Sequence, residues 1–280
     1  MHYKRSILLF TILAIISVTK TDFSTLEKAQ TYADTMPEQP DADISDPLDP
    51  DYTRFYRKHE YPLGLRFLQY LPWNTQAQWT PQDLITMINT LNTDILTDTA
   101  EKPVVHIQTK KNARIFVWGN LHGAFHSFVR DLNNLYKNDV ITYDLRLTSS
   151  DDYFIFNGNV INISPYSMEI LTLIGHLKAT NPNNVIYIAG DHEKDRYWRN
   201  FGLKRELQIR ARHLSTEHVP FAEDIDTLFD RLPRAVYITT QEDKNHALRI
   251  SHAGIQESNI DSNQLGSLFS HKKSYNTYDA

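Results

Sequence analysis

Four short loops, "GNLHG" (Gly119 to Gly123), "GNVINIS" (Gly158 to Ser164), "GDHE" (Gly190 to Glu193) and "SHAG" (Ser251 to Gly254), each follow an apolar run. Between them they carry most of the polar residues able to do chemistry. The runs that precede them, "ARIFVW", "DDYFIFN", "NVIYIA" and "ALRI", are short and rich in β-branched and aromatic residues, as strands are. Stretches of helical spacing separate the first three. Phe125, Phe128, Leu132 and Leu135 recur every three or four residues, and Ser164 with Pro165 offers a cap and a first-turn proline for "SPYSMEILTLIGHLK". Strands alternating with helices specify an α/β fold, in which loops at the ends of adjacent strands converge in space. A glycine beside each ligand-type residue lets the backbone turn sharply and approach a bound group closely.

The rest of the chain fits around this frame. "PVVHIQT" adds an earlier strand, helices are expected around Tyr197 to His213 and Ala222 to Phe229, and "RAVYITTQ" with "ALRISHAG" reads as a closing strand pair. Residues 52–102 are expected to be a helical region. Its best-marked part starts at Thr80 and Pro81 and puts Leu84, Ile88, Leu91 and Ile95 on one face. Residues 21–51 read as an acidic, proline-rich linker, and 103–280 as the main domain. The first 20 residues set "MHYKR" ahead of the apolar run "SILLFTILAIISV", which has the length of a signal-peptide core and is too short to span a bilayer. The expectation is export, to the outside or a periplasm, or else retention of this segment as an anchor, the sole membrane contact.

Composition excludes several function classes. A chain of 280 residues with 41% hydrophobic content can bury one substantial core. Its formal net charge of -5 provides no basic footprint for nucleic acid. Having no cysteine, it has no disulfide, no zinc–thiolate site and no thiol nucleophile.

In order and context the four loops resemble those of the calcineurin-like metallophosphoesterases, and specifically the serine/threonine protein phosphatase family, whose motifs read "GDxHG", "GDxVDRG", "GNHE" and "HGG" or "HAG". The resemblance runs from about Arg114 to Ile255. It implies a two-sheet sandwich flanked by helices, with two metal ions at the loops. Transferred by motif, Asn120 and His122 stand at the first metal, Asn159 at the bridge, Asp191 and His252 at the second metal, and His192 at the leaving-group acid. Two acids of the family motif are therefore amides here. Two dications about 3.5–4 Å apart repel by roughly 17–19 kcal/mol at an effective dielectric near 20, and a neutral Asn159 cannot offset this. The expectation is one weakly bound divalent ion (Mn, Fe or Zn), held by Asp191 and His252 with Asn159 and waters, and no two-metal centre.

Further departures touch catalysis. The family's Asp that orients the catalytic His corresponds to Asn162, and the phosphate-binding Arg of "DRG" to Ile163, which cannot donate a hydrogen bond. Only 28 residues follow His252, so the C-terminal part of the family fold is expected to be incomplete. These substitutions point to a phosphatase-like domain of impaired activity that works by binding a phosphorylated or other protein partner. The alternative is an active phosphoesterase with an atypical metal site. His106, His126, His176 and His213 lie outside the motifs and read as surface or hydrogen-bonded core residues. The basic run "YWRNFGLKRELQIRARH" reads as a solvated helix face.

Overall fold

A computed structural model describes residues 23–36, 81–90, 104–200, 202–210, 222–243 and 246–253. The apolar segment at the start of the chain, most of the 52–102 region with Leu91 and Ile95, His213, and everything after Ala253 lie outside the described residues. Among those described, no helix is long and apolar enough to cross a membrane.

In chain order the elements are helices α1 (Leu26–Thr35) and α2 (Pro81–Thr90), strands β1 (Val104–Thr109) and β2 (Arg114–Trp118), helix α3 (Phe125–Lys137), strand β3 (Asp152–Phe156) and helix α4 (Ser167–Thr180). Strand β4 (Val185–Tyr187), a 3-10 turn (Tyr197–Asn200), helices α5 (Gly202–Arg210) and α6 (Ala222–Asp230), and strands β5 (Ala235–Thr240) and β6 (Leu248–Ser251) follow. The strands form two sheets. One runs β2-β3-β4, all parallel; the other runs β1-β5-β6, with β1 parallel and β6 antiparallel to β5.

Side-chain alternation along β3 explains the layering. Phe154 and Phe156 point to one face and join the large core that includes Phe128, Leu132, Ile170 and Leu173 of α3 and α4. Ile155 points the other way, where it meets Ile186, Ile188, Val236 and Ile238 between the two sheets. A strand buried on both faces needs an unbroken apolar run, which "YFIF" supplies. Each such side chain contributes about 1.5–3 kcal/mol on burial. The observed architecture is the expected two-sheet sandwich flanked by helices.

Two expectations need correction. The range 21–51 contains a helix: Thr25 caps α1 by accepting from Lys28 N, and Leu26, Ala29, Tyr32 and Ala33 are buried against the main core. The Phe23 ring lies 5.3 Å from that of Phe125, so this segment is an integral layer of the domain, not a linker. The apolar spacing of these residues outweighs the acidic surroundings. Helix α4, for its part, begins at Ser167, not at Ser164. Asn162 and Ile163 sit at φ 71° and 53°, outside the right-handed helical region, and delay its start. Its cap comes from a distance, because the buried Glu206 carboxylate of α5 accepts from Ser167 N (3.1 Å) and Met168 N (3.2 Å).

Strands β2, β3 and β4 run in parallel, so the loops after them emerge at one edge of the sheet. Ser251, at the end of β6, pairs with Ala235 at the start of β5. The amide of Ala189 donates to Pro233 O at 2.8 Å, which brings the start of β5 and the end of β6 to the same edge.

Candidate active site

Strand-end loops cannot close on one another without a backbone that turns abruptly. Asn120, His122, Asn159, Asn162 and Ile163 all have positive φ, between 46° and 71°. For a β-branched residue such as Ile163 this is a genuine outlier, and strain of this kind persists only where the surroundings over-determine it. The surroundings do so here. His122 N donates to Asn159 O (2.9 Å), Gly123 N to Val160 O (2.7 Å) and Ser164 N to His122 O (2.8 Å), zipping the first loop to the second. Gly190 is required by close approach: a Cβ there would lie 2.3 Å from Asn159 Oδ1 and 2.5 Å from Asn159 N.

Glu193 ties the second loop to the third. Only 2% exposed, its carboxylate accepts from the backbone N–H groups of Asn159, Val160 and Gly190, each at 2.9 Å, and from the Tyr187 hydroxyl at 2.9 Å. Burial, the Glu193 charge and this hydrogen bond push the Tyr187 phenol far above its ordinary pKa. Sequence reasoning passed over Glu193 because two of its partners, Val160 and Asn159, lie 33 and 34 residues away. The carboxylate that ends "GDHE" was the available signal.

His192 and Asn162 meet directly. Leu203 N donates to Asn162 Oδ1 at 3.0 Å, which fixes the amide and turns its NH2 toward His192 Nδ1 at 2.8 Å. The Asn162 amide therefore donates and Nδ1 accepts, so the ring proton of His192 resides on Nε2. Burial and the neighbouring His122 hold the His192 imidazole below its ordinary pKa, against the pull of Asp191 and Glu193. The His122 ring stands 5.0 Å away and Tyr197 5.4 Å away, both edge-on. The structure thus brings together His122, Asn159, Asn162, Asp191, His192 and His252. Asn120 is exposed, and none of the hydrogen bonds described in the site involves its side chain.

The donor set decides what a metal would meet. His252 Nδ1 donates to Asn157 O at 2.8 Å, leaving Nε2 3.0 Å from Asp191 Oδ1. His122 Nδ1 lies 3.3 Å from Ile161 O. A backbone carbonyl on the far ring nitrogen is the usual support of a metal-ligating histidine. The Asp191–His252 separation suits two adjacent ligands of one ion at about 2.1 Å each. Asn157 Oδ1, on the residue that holds His252, is buried without a hydrogen-bond partner. Asn159 is otherwise engaged: its Oδ1 accepts from His192 N at 3.1 Å. Burial opposes the charge of Asp191, but the nearby Asn159, a backbone N–H, His192 and His252 more than offset this and hold its pKa low. Among the described residues no three His, Cys, Asp or Glu side chains are grouped closely enough to hold an ion. Asp191 and His252 fit part of the shell of one ion.

Residues 113–277 match the model of the calcineurin-like phosphoesterase family, more than half of the chain. The chain belongs to that family. Within it, the relatives are of the serine/threonine protein phosphatase type. Serine/threonine-protein phosphatase 5 of Homo sapiens is 26% identical over 152 residues, covering 54% of this chain and 26% of that protein. The serine/threonine-protein phosphatase 6 catalytic subunit of Caenorhabditis elegans is 24% identical over 161 residues, 57% of this chain and 43% of that one. This chain therefore aligns with less than half the length of these curated relatives. Among solved structures, a Saccharomyces cerevisiae protein serine/threonine phosphatase with similarity to human phosphatase PP5 aligns at a TM-score of 0.47 and 19% identity, covering 69% of this chain and 53% of that one.

Two histidines outside the motifs have structural roles. His106 Nε2 meets Thr239 Oγ1 at 3.0 Å, and His126 Nε2 meets Ala33 O and Met36 O, both at 3.1 Å, at the end of α1. A groove of about 630 Å³ along β2 and α3, lined by Phe116, Trp118, Leu135 and Val140, shares no residue with the four loops.

Proposed function

We propose that this chain is a phosphatase-type domain that keeps the loop scaffold of its family and uses the cleft to bind a phosphorylated protein group, with turnover impaired or lost. The observation that carries this reading is Asn159. At the position where a bridging carboxylate is required, it is neutral, and its amide oxygen, the atom that could meet a cation, already accepts from His192 N. Asn162 adds to it. As a donor to Nδ1 it offers no negative charge to support an imidazolium, so His192 is poorly suited to deliver a proton. Ile163 can give no hydrogen bond to a phosphoryl oxygen. Export or anchoring by the N-terminal apolar segment would put this binding activity outside the cytoplasm.

The Asp191–His252 pair favours a second reading, a phosphoesterase working with one ion. A divalent ion held there would polarise a phosphoryl oxygen. One assay separates the two: hydrolysis of a generic phosphomonoester with added manganese, for the native chain and for His192→Ala. Under the binding reading any residual rate is unchanged by the substitution. A leaving-group acid is worth about 10²- to 10⁴-fold, so a fall of that size at unchanged fold and metal content would establish the one-ion enzyme.

A further inference from the structure

Among the described residues, β2 is the outer strand of its sheet. Arg114 N donates to Asp151 O at 3.2 Å, and Trp118 O accepts from Asn157 N at 2.7 Å. In this parallel register Arg114, Phe116 and Trp118 direct their backbone groups at β3, and Ile115 and Val117 direct theirs outward. None of the described residues pairs with those outward groups. An open edge of this kind is a template for another strand unless proline, lysine or a bulge blunts it, and "RIFVW" carries none of these.

The two ends of this edge carry opposite charges. Arg114 is exposed, and its guanidinium lies 5.7 Å from the centre of the Phe116 ring. Asp152 holds it through Nε (2.8 Å) and Nη2 (2.6 Å), which leaves Nη1 without an acceptor among the described residues. At the other end Trp118 Nε1 donates to Asp131 Oδ2 at 3.1 Å, so an exposed carboxylate of α3 stands beside the last residue of the strand. Arg114, Phe116, Trp118 and Asp131 all line the groove between β2 and α3. On the opposite face Ile115 packs against the apolar layer between the sheets, while Val117 is 48% exposed.

Reversed, such an edge is complementary to itself. Antiparallel pairing of two copies about a two-fold axis at Phe116 sets Ile115 opposite the second copy's Val117. Residues placed so exchange both N–H···O bonds, which satisfies every outward group of both strands. The same register sets Arg114 opposite the second copy's Trp118 and Asp131, and covers each exposed Val117 with an Ile115. A strand of unrelated sequence would match the backbone groups alone.

We propose that β2 is an interface between two copies of this chain, which joins their three-stranded sheets into one continuous sheet. The proposal does not depend on the reading of the cleft. Analytical ultracentrifugation of the full chain across a concentration series tests it. The native chain is expected to pass from monomer to dimer as concentration rises. Val117→Lys blunts the edge and should abolish the dimer. Asp131→Lys sets a cation beside the second copy's Arg114 and should weaken association at least about tenfold, and Asp131→Glu should retain it. Both substituted residues are exposed, so the circular dichroism of each variant should match that of the native chain. A native chain that stays monomeric at every concentration would overturn the interface. Protection of the Ile115 and Val117 amides from hydrogen exchange in that monomer would place another segment of the chain on the edge instead. A dimer of native strength in either lysine variant would overturn it as well.

Discussion

Glu193 and Asn159 belong to the same pair of loops and obey opposite demands. Glu193 is a buried carboxylate whose oxygens are fully used by three backbone amides and a phenol. Glu206, which caps α4, and Asp226, which holds Trp198 and two arginines, behave likewise. On the cleft face, Asn120, Asn159 and Asn162 are amides at positions where the family's metal and acid chemistry uses carboxylates. The acids that hold backbone and side chains in place are present, and under the proposed reading the positions for metal ligation and imidazolium support are neutral, apart from Asp191. Loop closure in this chain therefore rests on buried carboxylates, helped by the amide oxygens of Asn159 and Asn162, which accept from His192 N and Leu203 N.

The sharpest way to break this comparison is to remove a scaffold acid. Glu193→Ala would leave three buried amides without an acceptor and is expected to cost about 3–5 kcal/mol, read as a lower midpoint in urea unfolding. A loss below 1 kcal/mol would mean that the loops close without it. Next in size, Gly190→Ala drives a methyl into Asn159 and should cost about 1–3 kcal/mol by the same measurement.

Changing the cleft face should act differently. Asn159→Asp places a second carboxylate, itself buried, close to Asp191, so the metal-free protein should lose about 1–2 kcal/mol. Manganese should restore it, and Asn120→Asp with Asn159→Asp should bind manganese at least tenfold more tightly than the native chain by calorimetry. If the double variant gained no affinity, the electrostatic account of the cleft would be wrong.

The smallest effect concerns pH. The His192 pKa is lowered on folding, and burial lowers that of His106 as well, so the unfolded chain binds more protons below about 6.5. Their contribution to stability is present above that pH and is lost as pH falls toward the folded values. Asn162→Asp would supply a charge to Nδ1 and raise the folded pKa of His192. Stability measured from pH 7 to 5 should then fall less steeply in that variant, and an unchanged slope would show that Asn162 does not set the state of His192.

Much of the fold was legible because its signals are local. The run "YFIF" announces a strand buried on both faces, and the spacing of Phe125, Phe128 and Leu132 announces α3. The four glycine-bearing loops marked where the site would form. What escaped was long-range. Helix α1 hid in a range read as acidic linker, although Leu26, Ala29, Tyr32 and Ala33 carry a helical spacing. The capping of α4 by Glu206 joins residues 38 and 39 positions apart. The engagement of the Asn159 amide oxygen depends on where His192 N comes to lie, 33 residues away, which no spacing along the chain encodes.

The central claim is that the cleft has lost the charge needed to hold two ions. Elemental analysis of protein loaded with excess manganese and then freed of unbound metal by gel filtration tests it directly. At most one ion per chain, readily lost on dilution, is the expected result. Two tightly retained ions per chain would contradict the account.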